Sequence, residues 1–255
     1  MSMTGFATRR GTAMGYDWVW DVRSVNGKGF DLRLRLPDWV EGLEAAVRAA
    51  TGARVSRGNV TLGLRLARGA GAEALRGVLD QGGETDDTTP LLAALLADFA
   101  PLLEDFTQMR AAEGRALSAI IAAQIDRIAE LSAVARDAAE ARRPLMEQAL
   151  RDNLARVLAG AAEADPARVA QELALMAVKA DVTEELDRLG AHVTAARALL
   201  RETATVGRRF DFLTQEFMRE ANTLCSKSGS VDLTRIGLDL KTVIDQMREQ
   251  VQNVE

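Results

Sequence analysis

The stretch YDWVWDVRSV, residues 16–25, alternates apolar and polar side chains with a period of two residues. This period is typical of a β-strand with one buried face. The same alternation occurs before it in TGFATRR, and after it in FDLRLRL and in residues 58–68. Between the last two strands, residues 39–51 have apolar side chains at helical spacing, and Gly52 ends that helix. Residues 1–68 therefore predict a small mixed sheet in the order β-β-β-α-β.

Glycines and prolines predict where these elements turn. Gly11 and Gly15 indicate a first turn, and Asn26-Gly27 is typical of a β-hairpin. From residue 91 onward apolar side chains recur at helical spacing. Pro144 and Asp165-Pro166 are each predicted to open a helix, and Gly207 to end one. The spacing at 181–184 predicts either a further helix start or the middle of a longer helix. The fold class predicted is α+β.

Charge differs between the two parts of the chain. Residues 1–68 have 11 Lys and Arg against 6 Asp and Glu, whereas residues 69–255 have 21 against 31. A basic module suits a polyanionic ligand, although salt bridges between the two parts would satisfy the same charges. Four regions are predicted: a basic β-rich module at 1–68, a short helix and linker at 69–90, long helices that form an oligomerisation arm at 91–165, and a helical C-terminal domain at 166–255.

Composition excludes several kinds of site. One cysteine excludes a disulfide within the chain and zinc sites built on several cysteines, and one histidine excludes mechanisms that need two from one chain. No apolar run approaches the ~20 residues of a membrane span, and the first residues lack a signal-peptide pattern. We expect a cytoplasmic protein that does not contact membranes.

The helix predicted from residue 181 has ionisable side chains beside its apolar seam. They recur at steps of four, three and four residues: Asp181, Glu185, Arg188 and His192. Carboxylates and an imidazole are ligands for Mg²⁺ or Mn²⁺, and the imidazole favours Mn²⁺. The alternative is a solvated ladder of ion pairs.

A second helix, from residue 208, has Glu216 and Glu220 one turn apart, with Arg219 beside them. If the two helices pack together, these carboxylates face the first set across a groove, as in metal-binding helical bundles. A pair of exposed carboxylates on an amphipathic helix fits the same spacing.

A basic loop and strand form a third candidate. Arg33 and Arg35 share one strand face, and Lys28 lies in a glycine-flanked turn, so this region is suited to binding phosphates. Two exposed arginines on a sheet, without a ligand, fit equally well. Weaker candidates of the same kind are Arg57 and the stretch Cys225–Gly229, which contains Lys227.

Several of these stretches together resemble the YicC/YloC family. SMTGF at 2–6, RSVN at 23–26 followed by Asp31 and RLP at 35–37, RAAEGRAL at 110–117, KADVTEELDRL at 179–189 and REQVQNVE at 248–255 match that family's motifs. The segment between Arg68 and Arg110 is shorter than is usual in the family, and Cys225 stands where the family has a small residue.

The resemblance implies a metal-dependent endoribonuclease that assembles as a homohexamer around RNA. It implies RNA-binding residues at Arg23, Asn26, Lys28, Arg33 and Arg35. Together with the candidates Arg57, Arg219 and Lys227, these form the predicted RNA-binding set. It also implies metal or catalytic residues at Asp181, Glu184, Glu185, His192, Glu216 and Glu220.

The hypothesis is therefore a hydrolase that cleaves single-stranded or locally unpaired RNA with Mn²⁺ or Mg²⁺ and takes part in RNA turnover. His192, Glu185 and Glu216 are the predicted catalytic residues. Because the chain has one histidine, we expect attack by water and a 5′-phosphate product. The alternative is a non-catalytic RNA-binding oligomeric adaptor that presents RNA to another nuclease.

Overall fold

The computed structural model describes residues 1–68, 87–160, 165–202 and 204–255. These residues form two compact units, one of residues 1–117 with 253–255 and one of residues 118–252. A small sheet and a mostly helical remainder confirm the α+β class. Most of the predicted linker at 69–90 lies outside the described residues.

Up to Arg68, the described residues of the first unit form a four-stranded mixed sheet and one short helix, in the predicted order. Their bounds are β1 (Gly5–Ala13), β2 (Tyr16–Val25), β3 (Phe30–Arg35), α1 (Leu43–Arg54) and β4 (Gly58–Arg68). The strands lie in the order β1-β2-β4-β3, with β3 parallel to β4 and the other pairs antiparallel. The turn between β1 and β2 is made by Met14 and Gly15, both with positive φ.

The hairpin predicted at Asn26-Gly27 is wrong. β4 lies between β2 and β3, so residues 26–29 connect two strands that do not pair. The physical reason is the parallel β3–α1–β4 unit, because a crossover helix places β4 beside β3 and leaves β2 to pair with the other edge of β4.

One face of the sheet is buried. Trp20 and Leu62 from the strands, Val47 from α1 and Phe99 and Phe106 from the first long helix belong to a single apolar core. Side chains along each strand point alternately to this face and to the opposite one, which is mostly exposed.

Five helices follow among the described residues after Arg68. Their bounds are α2 (Thr89–Gly160), α3 (Pro166–Lys179), α4 (Thr183–Leu199), α5 (Gly207–Lys227) and α6 (Val231–Val251). α2 runs through Pro144, so the predicted helix start there is wrong. Gly207 begins α5 rather than ending a helix. Asp165 caps α3 as predicted, accepting a hydrogen bond from the Ala167 N–H at 3.0 Å.

The second unit is built on packing between α4 and α5 and between α5 and α6. Leu189 and Val193 of α4 and Phe217 of α5 are buried in it. Gly237 of α6 lies directly against the Cys225 sulfur, so this cysteine, at the end of α5 rather than in a loop, fills space in the packing. Across the described ranges, no helix combines the length and hydrophobicity that a bilayer crossing requires.

Candidate metal centre

Three ionisable side chains from two packed helices converge in the second unit. His192 projects from α4, and Glu216 and Glu220 project from successive turns of α5. One potential ligand atom from each lies within 4.8 Å of the others. The i,i+4 spacing that was read from the sequence directs both carboxylates to one face of α5, and that face meets α4.

The surroundings of His192 suit a ligand. Its Nε2 atom is buried and has no hydrogen-bond partner among the described residues. The ring of Phe217 meets the imidazole edge-on, with 5.6 Å between centroids, and thereby restricts its orientation. A buried polar atom without a partner is costly in a folded protein, and coordination of a cation would satisfy it. One imidazole and two carboxylates therefore fit a divalent metal such as Mn²⁺.

An arginine borders the cluster. Nη1 of Arg188 lies 3.5 Å from Oε1 of Glu220, whose side chain is only 3% exposed, and Nη2 of Arg188 binds Glu184. Arg188 therefore offsets the negative charge of a buried carboxylate and holds it in place. Sequence spacing placed Arg188 on this stripe, but the chain Glu184–Arg188–Glu220 requires tertiary contact. Arg219 lies 4.0 Å from Glu216 at the exposed rim.

The remaining predicted ligands have other partners. Glu185 is buried and accepts a hydrogen bond from Nζ of Lys227 at 2.9 Å, while its second oxygen has no partner in the described part of the chain. Lys227 also donates to the Asp181 carbonyl oxygen at 3.2 Å. The structure thus brings together three of the six predicted ligands. Asp181, Glu184 and Glu185 lie outside that cluster, and their metal roles stay predictions.

Asp181 acts at the start of α4. Its Oδ1 accepts hydrogen bonds from the hydroxyl of Thr183 at 2.7 Å and from the Thr183 N–H at 2.9 Å. These two bonds favour the charged carboxylate and lower the pKa of Asp181 below its ordinary value.

Arg142 of α2, which no sequence motif singled out, supports the same region. It donates hydrogen bonds to the Ala180 carbonyl at 2.8 Å and to the Lys227 carbonyl at 3.3 Å. Partial burial lowers the pKa of Arg142, an effect that the nearby Asp181 carboxylate opposes. This bridge joins the end of α3 to the end of α5 and has no signature in sequence spacing.

The predicted phosphate-binding residues of the first unit fall into two groups. Arg23, Arg33 and Arg35 are exposed and share the outer face of the sheet. Lys28 is exposed in the loop before β3. Arg57, by contrast, donates to the Gly27 carbonyl at 3.1 Å and so orders that loop from within. The Asn26 carbonyl accepts from the Asn59 side chain at 3.5 Å.

Comparison with known proteins decides the family. Residues 1–76 match the model described as "Endoribonuclease YicC-like, N-terminal region", and residues 135–255 match "Endoribonuclease YicC-like, C-terminal". The chain belongs to the YicC-like family. It is 36% identical to a "Probable endoribonuclease YicC" of Haemophilus influenzae, over all of this chain and 99% of that protein. A protein of the same description from Clostridioides difficile is 27% identical over the same shares.

The two YicC-like matches coincide with the two kinds of candidate residue. The exposed arginines of the sheet lie within the N-terminal match, and the His192–Glu216–Glu220 cluster lies within the C-terminal match. Both features therefore belong to regions that this chain shares with the YicC-like family.

Proposed function

We propose that this YicC-like protein is a divalent-metal-dependent endoribonuclease that hydrolyses phosphodiester bonds in single-stranded or locally unpaired RNA. The observation that carries the proposal is the His192–Glu216–Glu220 cluster with its unpartnered, buried imidazole nitrogen. The names of the relatives and the basic face of the sheet support RNA as the substrate. We further propose a role in cytoplasmic RNA turnover.

The protein's own groups supply binding and proton transfer. A divalent cation, when bound by His192, Glu216 and Glu220, would offset negative charge on the scissile phosphate and lower the pKa of a bound water molecule. Glu216, the more exposed of the two carboxylates, takes the proton from the attacking water. The water oxygen forms a bond to phosphorus, the bond from phosphorus to the 3′-oxygen breaks, and that oxygen leaves with a proton from solvent. The products are a 5′-phosphate and a 3′-hydroxyl.

Glu185 has a different place in this proposal. Its carboxylate is buried beside Lys227, so we assign it to positioning α4 and α5 around the centre and leave direct catalysis to the other two residues of the predicted catalytic set, His192 and Glu216. Arg219, beside Glu216, and Lys227, beside Glu185, are the proposed RNA contacts of the second unit.

The test uses the purified chain with a 5′-labelled unstructured RNA. We expect cleavage with Mn²⁺, none with EDTA, and 5′-phosphate ends on the downstream fragments. Glu216→Gln should reduce cleavage by at least 100-fold because it removes the proton acceptor and one of the three metal ligands. Glu130→Gln, at an exposed carboxylate of the same unit, is the matched control. Fragments that end only in 2′,3′-cyclic phosphate would contradict attack by water.

A non-catalytic adaptor is the second candidate, because Arg188 already compensates Glu220 and because the exposed arginines of the sheet are suited to phosphates without the helical cluster. The two functions separate in one assay. An adaptor binds RNA but does not cleave it with any divalent ion, and Glu216→Gln changes neither property.

We also propose a homohexamer. Support comes from apolar side chains left exposed on α2 and α3, including Leu145, Met176 and Val178. Light scattering on the purified protein should give about six times the 27.5 kDa chain mass, and a monomer at micromolar concentration would reject this part of the proposal.

A further inference from the structure

An exposed phenylalanine lies on the basic face of the sheet, in the edge strand β1. Phe6 of β1 is 59% exposed and points away from the core. The strand registers place it in one cross-strand row with Arg23 of β2, Thr61 of β4 and Arg33 of β3. Neighbouring strands are about 4.8 Å apart, so Phe6 and Arg23 have adjacent side chains on the outer face.

Charge on this face favours a polyanion. Five exposed arginines alternate with the buried positions: Arg10, Arg23, Arg33, Arg35 and Arg65. The same face has three acidic side chains: Asp17, Asp21 and Asp31. Within the described residues, only Arg33 of these arginines lies within 4.0 Å of a carboxylate oxygen, that of Asp31 at 3.2 Å. The other four guanidinium groups are available to phosphates.

We infer that Phe6 is a base-stacking platform for single-stranded RNA and that Arg23, its neighbour in the same row, binds an adjacent phosphate. The inference rests on the proposed function for the identity of the nucleic acid. An aromatic ring among arginines matches the two parts of a single strand, because a base stacks on the ring while the backbone pairs with the cations. In a duplex the base faces are already stacked, so a flat aromatic side chain gains nothing from it.

The platform has a further consequence for Arg10 and Arg65. They lie two rows along the sheet from Arg23, opposite one another across Val19 of β2. A strand that stacks on Phe6 and runs along this face would place phosphates near them. They extend the predicted RNA-binding set beyond the residues that sequence motifs indicated.

The experiment separates stacking from charge. Fluorescence anisotropy in EDTA measures the affinity of the whole protein for a labelled 12-residue oligouridine and for the same backbone without bases. We expect the wild type to prefer the base-bearing strand about tenfold, the effect of losing one stacked base. Phe6→Ala should abolish that preference while binding the abasic strand normally, and Phe6→Trp should restore it. Phe212→Ala, at a 63% exposed phenylalanine of α5, is the matched control and should behave as wild type.

Several outcomes would overturn the inference. One is a preference for the base-bearing strand that survives Phe6→Ala. Another is an equal loss of affinity for the base-bearing and the abasic RNA, which would indicate a change of conformation. If Phe6→Ala alters only the oligomeric mass, the face is a protein contact. Stronger binding of wild type to duplex RNA than to the single strand would exclude stacking. If wild type binds no RNA at all, the proposed function fails along with this inference, whereas the other results leave that function intact.

Discussion

Nη2 of Arg110 lies 3.2 Å from Oε2 of Glu255, and the side chains are 0% and 6% exposed. Arg110 also donates from Nε to the Ser2 carbonyl at 2.7 Å, and the Ser56 hydroxyl donates to Glu255 at 2.7 Å. Residues from α2 and from both ends of the chain thus meet at one buried charge pair. Burial lowers the pKa of Arg110, and the Glu255 carboxylate opposes that shift.

This pair should matter for stability. Glu255→Ala leaves a buried guanidinium without its counter-charge, so we expect the free energy of unfolding to fall by about 3 kcal/mol. Urea unfolding followed by circular dichroism measures it. Glu104→Ala removes a half-exposed partner of Arg54 and should lower the free energy of unfolding much less than Glu255→Ala does. Equal effects of the two variants would contradict a special role for the buried pair.

The candidate centre should bind metal without RNA. We expect Mn²⁺ to raise the melting temperature of the wild type, because a ligand that binds the folded state stabilises it. Glu216→Gln and His192→Ala should each weaken Mn²⁺ binding by at least tenfold in isothermal titration calorimetry, since each removes one of three ligands. Glu130→Gln should leave it unchanged. Binding unaltered by both ligand variants would place the metal elsewhere.

Arg188→Met should separate stability from metal affinity. The variant leaves the Glu220 carboxylate buried without the Arg188 guanidinium. We therefore expect the free energy of unfolding of the metal-free protein to fall by about 1–3 kcal/mol. A bound cation should therefore stabilise the Glu220 carboxylate more in the variant than in the wild type. Thermal unfolding with and without Mn²⁺ should therefore show a larger metal-induced increase in the variant than in the wild type. A smaller increase would mean that Arg188 positions Glu220 for the metal.

Asp181→Ala should show a pH-dependent cost. The pKa of Asp181 is lowered in the folded state by the Thr183 hydrogen bonds. Its contribution to stability is therefore present above the ordinary aspartate pKa of about 3.9 and is lost as pH falls through the lower folded value. We expect the free energy of unfolding of the wild type to exceed that of the variant at pH 7, and this difference to narrow below about pH 4. A constant difference down to pH 2 would show that the carboxylate charge is irrelevant.

Sequence periodicity predicted the element types well. The alternation of apolar and polar side chains in residues 16–25 and 58–68 predicted strands that the structure contains, because one face of each strand is buried. Pairing was less predictable. Asn26-Gly27 favoured a hairpin locally, but the crossover through α1 placed β4 beside β2. Pro144 favours a helix start in local terms, yet α2 continues through it.

Spacing along α4 and α5 identified candidate ligands for the metal centre but did not show which of them lie close together. Spacing placed five acidic or imidazole side chains on two helix faces, and the family resemblance added Glu184. Of these six, packing brought only His192, Glu216 and Glu220 within reach of one ion. Glu184 pairs with Arg188 at the i,i+4 spacing within α4, whereas Glu185 pairs with Lys227 of α5, a contact that sequence spacing does not indicate.

The amino-acid sequence alone determined the α+β class, the sign of charge in each region and the motifs of the YicC-like family, because local periodicity and composition are properties of neighbouring residues. Tertiary structure decided the strand order, the Arg110–Glu255 pair across 145 residues, and the three-residue cluster. It also put Phe6 beside Arg23. These relationships join residues distant along the chain, and they arise only when burial of apolar surface selects one packing among many.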